Sequence, residues 1–233
     1  MTSGVRARNR QAKMAAITRV ANEQLAVVGP AELSVRAVAR ELGMASSAIY
    51  RYVESRDALL TLLIIAAYDD MAQRAEVAAA GPRDPLRRWL AAGLACRDWA
   101  LDQPHRFALI FGSPVLGYAA PQETIGPASR IPALLTGVLQ QAGASPDVPA
   151  FSARVAASLR PLRADLAHWA GIADPRFSDA ALALGVLAWT HLIGSISFEL
   201  FGHRHNVVGD SPADRRTYFE FELRVLAGLL GID

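Results

Sequence analysis

The chain has 233 residues, 52% of them apolar and 20% charged, which favours a globular protein with a substantial core over a disordered one. A single cysteine, Cys96, excludes an intrachain disulfide and indicates a reducing compartment. The first residues lead into arginines without the apolar core of a signal peptide, so we expect a cytoplasmic protein. Residues 1–56 carry nine Lys/Arg against four Glu (+5), whereas the remainder carries 15 basic and 18 acidic residues (−3). This asymmetry indicates a polyanionic partner for the N-terminal region alone.

The first predicted element is a helix from about Arg10 to Val28. It begins after a short basic segment, residues 2–9, which is either a frayed terminus or an arm that touches DNA. One helical stripe is apolar, and Gly29-Pro30 ends the pattern. The stripe consists of Met14, Ile17, Ala21, Leu25 and Val28.

The stretch from Ser34 to Arg56 predicts two short helices joined by a tight turn. Ser34 is placed to cap a first helix, and Gly43 provides the permissive backbone that ends it. The buried face of this helix would be Val35, Val38, Ala39 and Leu42.

A second helix is predicted to open at Ala45 or Ser46, with Ile49 and Val53 facing inward. Its outward ridge suits a groove lined with acceptors and phosphates, as in a helix-turn-helix whose second helix enters the major groove. An ordinary packing unit with a solvated surface is the alternative. The ridge consists of Ser46, Ser47, Tyr50 and Arg51.

The rest of the chain predicts helices only, so the expected fold is all-α. Proposed segments are Ser55 to about Ala80, Asp84 to about Leu101, Pro104–Phe111, Thr124–Ala142, Pro149–Ala170, Ser178–Phe201 and Pro212–Leu230. They predict a helix-turn-helix domain (10–56), a connecting helix (57–80) and a C-terminal effector-binding and dimerisation domain (84–233).

Residues 180–198 contain no charged side chain unless His191 is protonated. Such a segment is either a membrane helix or a helix buried on every side, partly against a second copy of the chain. Polar residues within it and the charged helix that follows favour a two-fold symmetric homodimer, with Gly185 and Gly194 permitting close helix contact. The predicted interface residues are Leu182, Val186, Trp189, Ile193, Phe219, Leu223 and Leu226.

The middle of the chain is rich in aromatic residues, which either fill the core or line an apolar ligand cavity between helices. The candidate ligand-binding residues are Trp89, Cys96, Trp99, Phe107, Phe111, Phe151, His168 and Trp169. An apolar or aromatic small molecule would suit them.

From about Ile17 to Leu60 the chain resembles the DNA-binding region of TetR-type (tetracycline-repressor-like) transcriptional regulators. The matching run is LSVRAVARELGMASSAIYRYVESRDALL, beginning at Leu33. The C-terminal region resembles a type named after a Trp-His-Gly pattern, here Trp189, His191 and Gly194.

This resemblance implies a homodimer that binds a palindromic operator as a repressor and is released by a small-molecule effector. At Arg56 the family usually has lysine, and arginine keeps the charge for a phosphate contact. The implied DNA contacts are Ser34, Arg36, Ser46, Ser47, Ala48, Tyr50, Arg51, Tyr52 and Arg56.

An enzyme and a helical adaptor are the rival functions. Nucleophile-elbow, Walker and zinc-protease motifs are missing from the sequence, so we predict neither a catalytic residue, a metal site nor a cofactor. His203-Arg204-His205 offers two metal ligands without a third, which favours a solvated loop. An adaptor would not explain the basic N-terminal region.

Overall fold

The structure is a computed structural model that describes residues 2–143, 152–169 and 178–232, without the side chains of residues 2–4, 6 and 165–169. These residues form α-helices and one 3-10 turn and contain no strand, which confirms the all-α prediction. The α-helices are α1 (Thr2–Val28), α2 (Val35–Glu41), α3 (Ser46–Ile49), α4 (Arg56–Ala80), α5 (Pro85–Asp102), α6 (Pro104–Phe111), α7 (Ile125–Gln141), α8 (Ala153–Ser158), α9 (Arg160–Trp169), α10 (Asp179–Leu200) and α11 (Pro212–Leu230).

The chain divides into two compact units. Unit 1 comprises Met1–Ala67 and Gln103–Thr124, and unit 2 comprises Tyr68–Asp102 and Ile125–Asp233. These units group the chain differently from the predicted domains, because α6 and the loop after it belong to unit 1.

Two contacts hold this returning segment in unit 1. Arg106 donates from Nη2 to the carbonyl of Ala66 on α4 at 2.9 Å. The hydroxyls of Thr61 and Tyr118 lie 2.9 Å apart and share a hydrogen bond. Unit 1 is therefore built from two separate stretches of sequence.

Polar side chains cap the starts of several helices. Ser55 accepts from the N–H of Ala58 at 3.0 Å, and Asp84 accepts from the N–H of Arg87 at 2.8 Å. Ser211 caps α11 in the same way through the N–H of Asp214. Such caps satisfy backbone donors that the first turn of a helix leaves unpaired.

Two sequence predictions differ from the structure. Residues 2–9 are helical as part of α1, so the predicted start of the first helix at about Arg10 is wrong. Residues 149–151 and 170 of the predicted helix 149–170 lie outside the described residues. Between them the helix is interrupted at Leu159, because Pro161 has no N–H to donate to the carbonyl of Ala157. That carbonyl accepts instead from the Arg160 side chain at 3.1 Å.

Unit 2 is tied together by close helix packing. A side chain at Gly185 on α10 would lie 2.5 Å from Thr136 Oγ1 on α7, and one at Gly93 on α5 would lie 2.7 Å from Leu223 on α11. Gly185 therefore serves packing within the protomer. Gly194, by contrast, faces open space.

Among the described residues, α10 is long and apolar enough to cross a membrane by length and composition. It is nevertheless partly a core helix, with 44% of its most apolar 18-residue window buried inside the protein. Near its end, buried Glu199 receives two hydrogen bonds from Arg97 on α5. The buried ion pair and the half-buried surface fit a helix that belongs partly to the core of unit 2.

Candidate nucleic-acid interface

The first helix of the predicted helix-turn-helix begins where the sequence placed it. Ser34 has extended backbone angles, and its Oγ accepts from the N–H of Ala37 at 3.4 Å. Val35, Val38 and Ala39 are buried, which confirms three of the four predicted inner positions of α2. The fourth, Leu42, is the residue after α2 and is half-buried. Arg36 lies on the exposed side of the first turn of α2.

The turn between α2 and α3 is set by Gly43. Its φ of 62° lies in the left-handed region, which suits glycine because a side chain would be strained there. The N–H of Gly43 donates to the carbonyl of Arg40 at 3.1 Å, and that of Met44 donates to Ala39 at 2.9 Å. This is the Schellman arrangement, which satisfies the last carbonyls of a helix and redirects the chain. Here it fixes the direction in which α3 leaves.

The third helix carries the predicted outward ridge. Ile49 and, just after the helix, Val53 are buried and anchor it to the core of unit 1. The side chain of Tyr50 is 40% exposed, although it adjoins this anchor. The other ridge residues, Ser46, Ser47 and Arg51, are exposed. Ala48 and Tyr52, which were also predicted to contact DNA, are half-buried. These residues lie in or directly after α3, and their contacts with DNA stay a prediction.

Arg56 has a role that the sequence pattern did not indicate. Its Nη2 donates to the carbonyls of Pro30 and Ala31 at 2.7 and 3.0 Å, in the loop between α1 and α2. Its Nη1 lies 3.7 Å from the carboxylate of Asp57. Arg56 thus braces that loop, a contact that depends on the three-dimensional fold. Its predicted phosphate contact stays a prediction.

The candidate ligand residues fall into different parts of the molecule. Trp89 and Trp99 are buried in unit 2, and each indole N–H is satisfied within the protein, by the Leu223 carbonyl at 2.8 Å and by Asp70 at 3.0 Å. Cys96 is buried in unit 2, where desolvation raises the pKa of its thiol to about 12. These three positions are core positions.

Phe107 and Phe111 belong instead to unit 1, where their ring centroids lie 5.1 Å apart. Phe151 and the side chains of His168 and Trp169 lie outside the described residues. The ligand site therefore stays a prediction.

Four of the seven predicted interface residues already lie inside the protomer. Because their side chains are buried, they have little surface area left to contact a partner subunit. These residues are Leu182, Phe219, Leu223 and Leu226. Val186, Trp189 and Ile193 are half-buried. The exposed apolar residues of α10 and α11 lie on different helix faces from these buried ones. The sequence alone did not distinguish the buried apolar faces from the exposed ones.

The described residues contain no group of three or more His, Cys, Asp or Glu side chains placed to hold a metal ion. His205 lies 3.5 Å from Asp210, and both side chains are exposed.

The two short helices have a buried inner face, a turn set by a glycine, and an exposed ridge of hydroxyl, phenol and guanidinium groups. These are the features of a helix-turn-helix DNA-binding protein. Comparison with known families places the chain more narrowly. Residues 17–63 match the family of bacterial regulatory proteins described as the tetR family, and residues 89–226 match the tetracyclin repressor-like C-terminal domain. The latter match includes the Trp189, His191 and Gly194 positions. The chain belongs to the TetR family of transcriptional regulators.

Individual proteins agree with this assignment. The chain is 36% identical over 222 residues to the HTH-type transcriptional regulators Mb1846 of Mycobacterium bovis and Rv1816 of Mycobacterium tuberculosis, covering 93% of this chain and 91% of each relative. The crystal structure of SCO4313 is similar with a TM-score of 0.74 and 33% identity, over 95% of this chain and 98% of that one. The TetR-family regulator PfmR of Thermus thermophilus shares the fold, with a TM-score of 0.57 at 15% identity over 93% of this chain and 98% of its own.

Proposed function

We propose that the protein is a cytoplasmic repressor that binds a palindromic operator as a homodimer and is released by a small-molecule effector. The observation that carries the proposal is the α3 ridge, in which Ser46, Ser47 and Tyr50 stand exposed above a buried anchor. Membership of a family of DNA-binding transcriptional regulators supports it.

The ridge, together with Arg36 and Ala48, offers the groups that are needed to recognise a DNA sequence. Arg36 can donate two parallel hydrogen bonds to a guanine edge, and hydroxyls can pair with either donors or acceptors on bases. Tyr50 presents a phenol and an apolar ring, while the small side chain of Ala48 leaves room for a thymine methyl group. Arg51 supplies a charge for a phosphate.

The proposed dimer surface begins on α10. Leu187, Phe198 and Phe201 are exposed and recur at i, i+11 and i+14, which places them along one face of the helix. Gly194 lies on the same face, and a side chain added there would meet nothing within 4 Å. A glycine in an exposed apolar stripe allows a partner helix to approach closely.

A second stripe follows on α11. Tyr218, Phe221, Val225 and Leu229 are exposed at i, i+3, i+7 and i+11, while the opposite face of the helix is buried. Two apolar stripes on consecutive helices suit a two-fold interface in which four helices pack together. This surface replaces the predicted interface residues that are buried in the protomer.

We place effector control in unit 2. An apolar or aromatic molecule can weaken operator binding only to the extent that it prefers the conformation that does not bind DNA. The support is the family assignment together with the aromatic content of this part of the chain. Molecules that release the protein from its operator would identify the effector.

Selection of bound sequences from a random DNA pool tests the DNA-binding part of the proposal. We expect a palindromic site. Arg36→Gln and Tyr50→Ala should then lower discrimination between this site and random DNA by about 1–3 kcal/mol per lost base contact. Arg19→Gln is the matched control, because Arg19 is already paired with Glu23 at 2.6 Å on α1. A pool without enrichment, or full discrimination by both variants, would contradict the proposal.

A further inference from the structure

One stripe of α1 changes character along its length. Ile17, Ala21 and Leu25 are buried and seat the helix in unit 1. Toward the N-terminus the same stripe continues through positions 13, 10 and 6, which are four, seven and eleven residues before Ile17. These positions hold Lys13, Arg10 and Arg6, and the side chains of Lys13 and Arg10 are exposed. We call Lys13 and Arg10 the basic ridge.

One residue of the basic ridge, Arg10, contacts a residue that closely follows α3. The guanidinium carbon of Arg10 lies 5.7 Å from the centroid of the Tyr52 ring, within the range of a cation–π contact. Tyr52 closely follows α3 and is two residues from exposed Tyr50. Arg10 is thereby held next to the surface that the proposed function assigns to DNA.

The charges of the basic ridge do not stabilise the helix that carries them. Basic side chains near a helix N-terminus oppose the helix dipole, and like charges three and four residues apart repel each other. The sequence provides no nearby acidic side chain to offset this repulsion, since the first acidic residue of the chain is Glu23. A partner of opposite charge would compensate for both effects.

We propose that Arg10 and Lys13 bind phosphates of the DNA backbone and extend the interface beyond the helix-turn-helix. This inference rests on the proposed function. It lies outside the matched N-terminal family region, which begins at residue 17. Phosphate contacts carry no sequence information, so the basic ridge increases affinity and its salt dependence while leaving discrimination to α3.

The experiment measures binding of the full-length protein to its selected site and to random duplex DNA between about 50 and 200 mM KCl, a range over which phosphate contacts change affinity strongly. Each phosphate contact contributes about 0.9 to the slope of log affinity against log salt concentration, and a dimer doubles every loss. Lys13→Gln should therefore flatten the slope by up to about 1.8, and Arg10→Gln/Lys13→Gln by up to about 3.6. Glutamine keeps the helix propensity of the replaced residues, and circular dichroism verifies the helix content.

Arg19→Gln is again the matched control, because it removes the same charge from the same helix at an ion-paired position. Flattened slopes in the ridge variants, with the slope of Arg19→Gln and the site-to-random ratio unchanged, support the inference. Unchanged slopes in the ridge variants, or equal flattening in Arg19→Gln, overturn it while leaving the proposed function standing. Absence of DNA binding by the wild-type protein would instead overturn the proposed function and this inference with it.

Discussion

The ion pair between Arg97 and Glu199 offers a stringent test of how unit 2 is held together. The two side chains are 5% and 3% exposed, and they join α5 to α10 through two hydrogen bonds, one of them 2.7 Å from Nε to Oε2. Glu199→Gln keeps the shape but leaves the guanidinium charge of Arg97 without its main partner. Breaking one side of such a buried pair costs about 3–5 kcal/mol.

Arg97 keeps two other contacts in Glu199→Gln, so we expect a cost at the lower end of this range. Nη1 of Arg97 stays 3.3 Å from the half-exposed carboxylate of Asp98, and its guanidinium carbon lies 5.6 Å from the centroid of the Phe219 ring. We therefore expect Glu199→Gln to lower the free energy of unfolding by about 3 kcal/mol.

Urea unfolding monitored by circular dichroism measures this loss, at one fixed protomer concentration because dimerisation contributes to stability. Arg216→Gln is the exposed comparison: it breaks a 3.0 Å contact with Asp98 and should cost less than about 1 kcal/mol. Replacing both partners, as Arg97→Met/Glu199→Leu, should recover most of the stability. A loss below about 1 kcal/mol for Glu199→Gln would refute the reasoning, since it would mean that Arg97 is not dependent on Glu199.

Two further predictions concern surfaces and reactivity. Gly194→Arg should fold normally but give monomers in light scattering, because the added side chain meets nothing in the protomer yet enters the proposed dimer surface. The control Gly137→Arg, at an equally open helical position on α7, should stay dimeric. A dimeric Gly194→Arg would place the interface elsewhere. The Cys96 thiol should resist a disulfide reagent in the native protein at about pH 8 and react fully in denaturant, since burial raises its pKa to about 12 and keeps it protonated; rapid native modification would contradict its burial.

Local signals in the sequence predicted much of unit 1. Ser34, Gly43 and the apolar spacing of Val35, Val38 and Ala39 each act within a few residues, so the caps, the turn and the inner face of α2 could be predicted without knowledge of the fold. The outward ridge of α3 followed from the same periodicity. The helical part of residues 2–9 was missed, because its short polar and basic sequence lacks an apolar stripe.

Contacts between distant segments could not be predicted in this way. Arg56 was expected to face phosphates, but its bonds to the carbonyls of Pro30 and Ala31 depend on how the loop folds back over α4. On α10 and α11, nearly every apolar residue was an equal candidate for the dimer surface. The packing of α7 against α10 and of α5 against α11 shows which faces of these two helices are buried in the protomer. On α11, Leu223 is therefore internal, whereas Leu229 is exposed.

The two-part construction of unit 1 has a consequence for the order of its assembly during synthesis. A chain that has left the ribosome only as far as Ala67 contains all of α1, α2 and α3, but it lacks the hydrogen bond from Arg106 to Ala66 and the one between Thr61 and Tyr118. Domains generally fold as units once their residues are available. The N-terminal segment must therefore wait for residues 103–124 before its contacts are complete, and a nascent chain exposes that unfinished surface while α5 is being made.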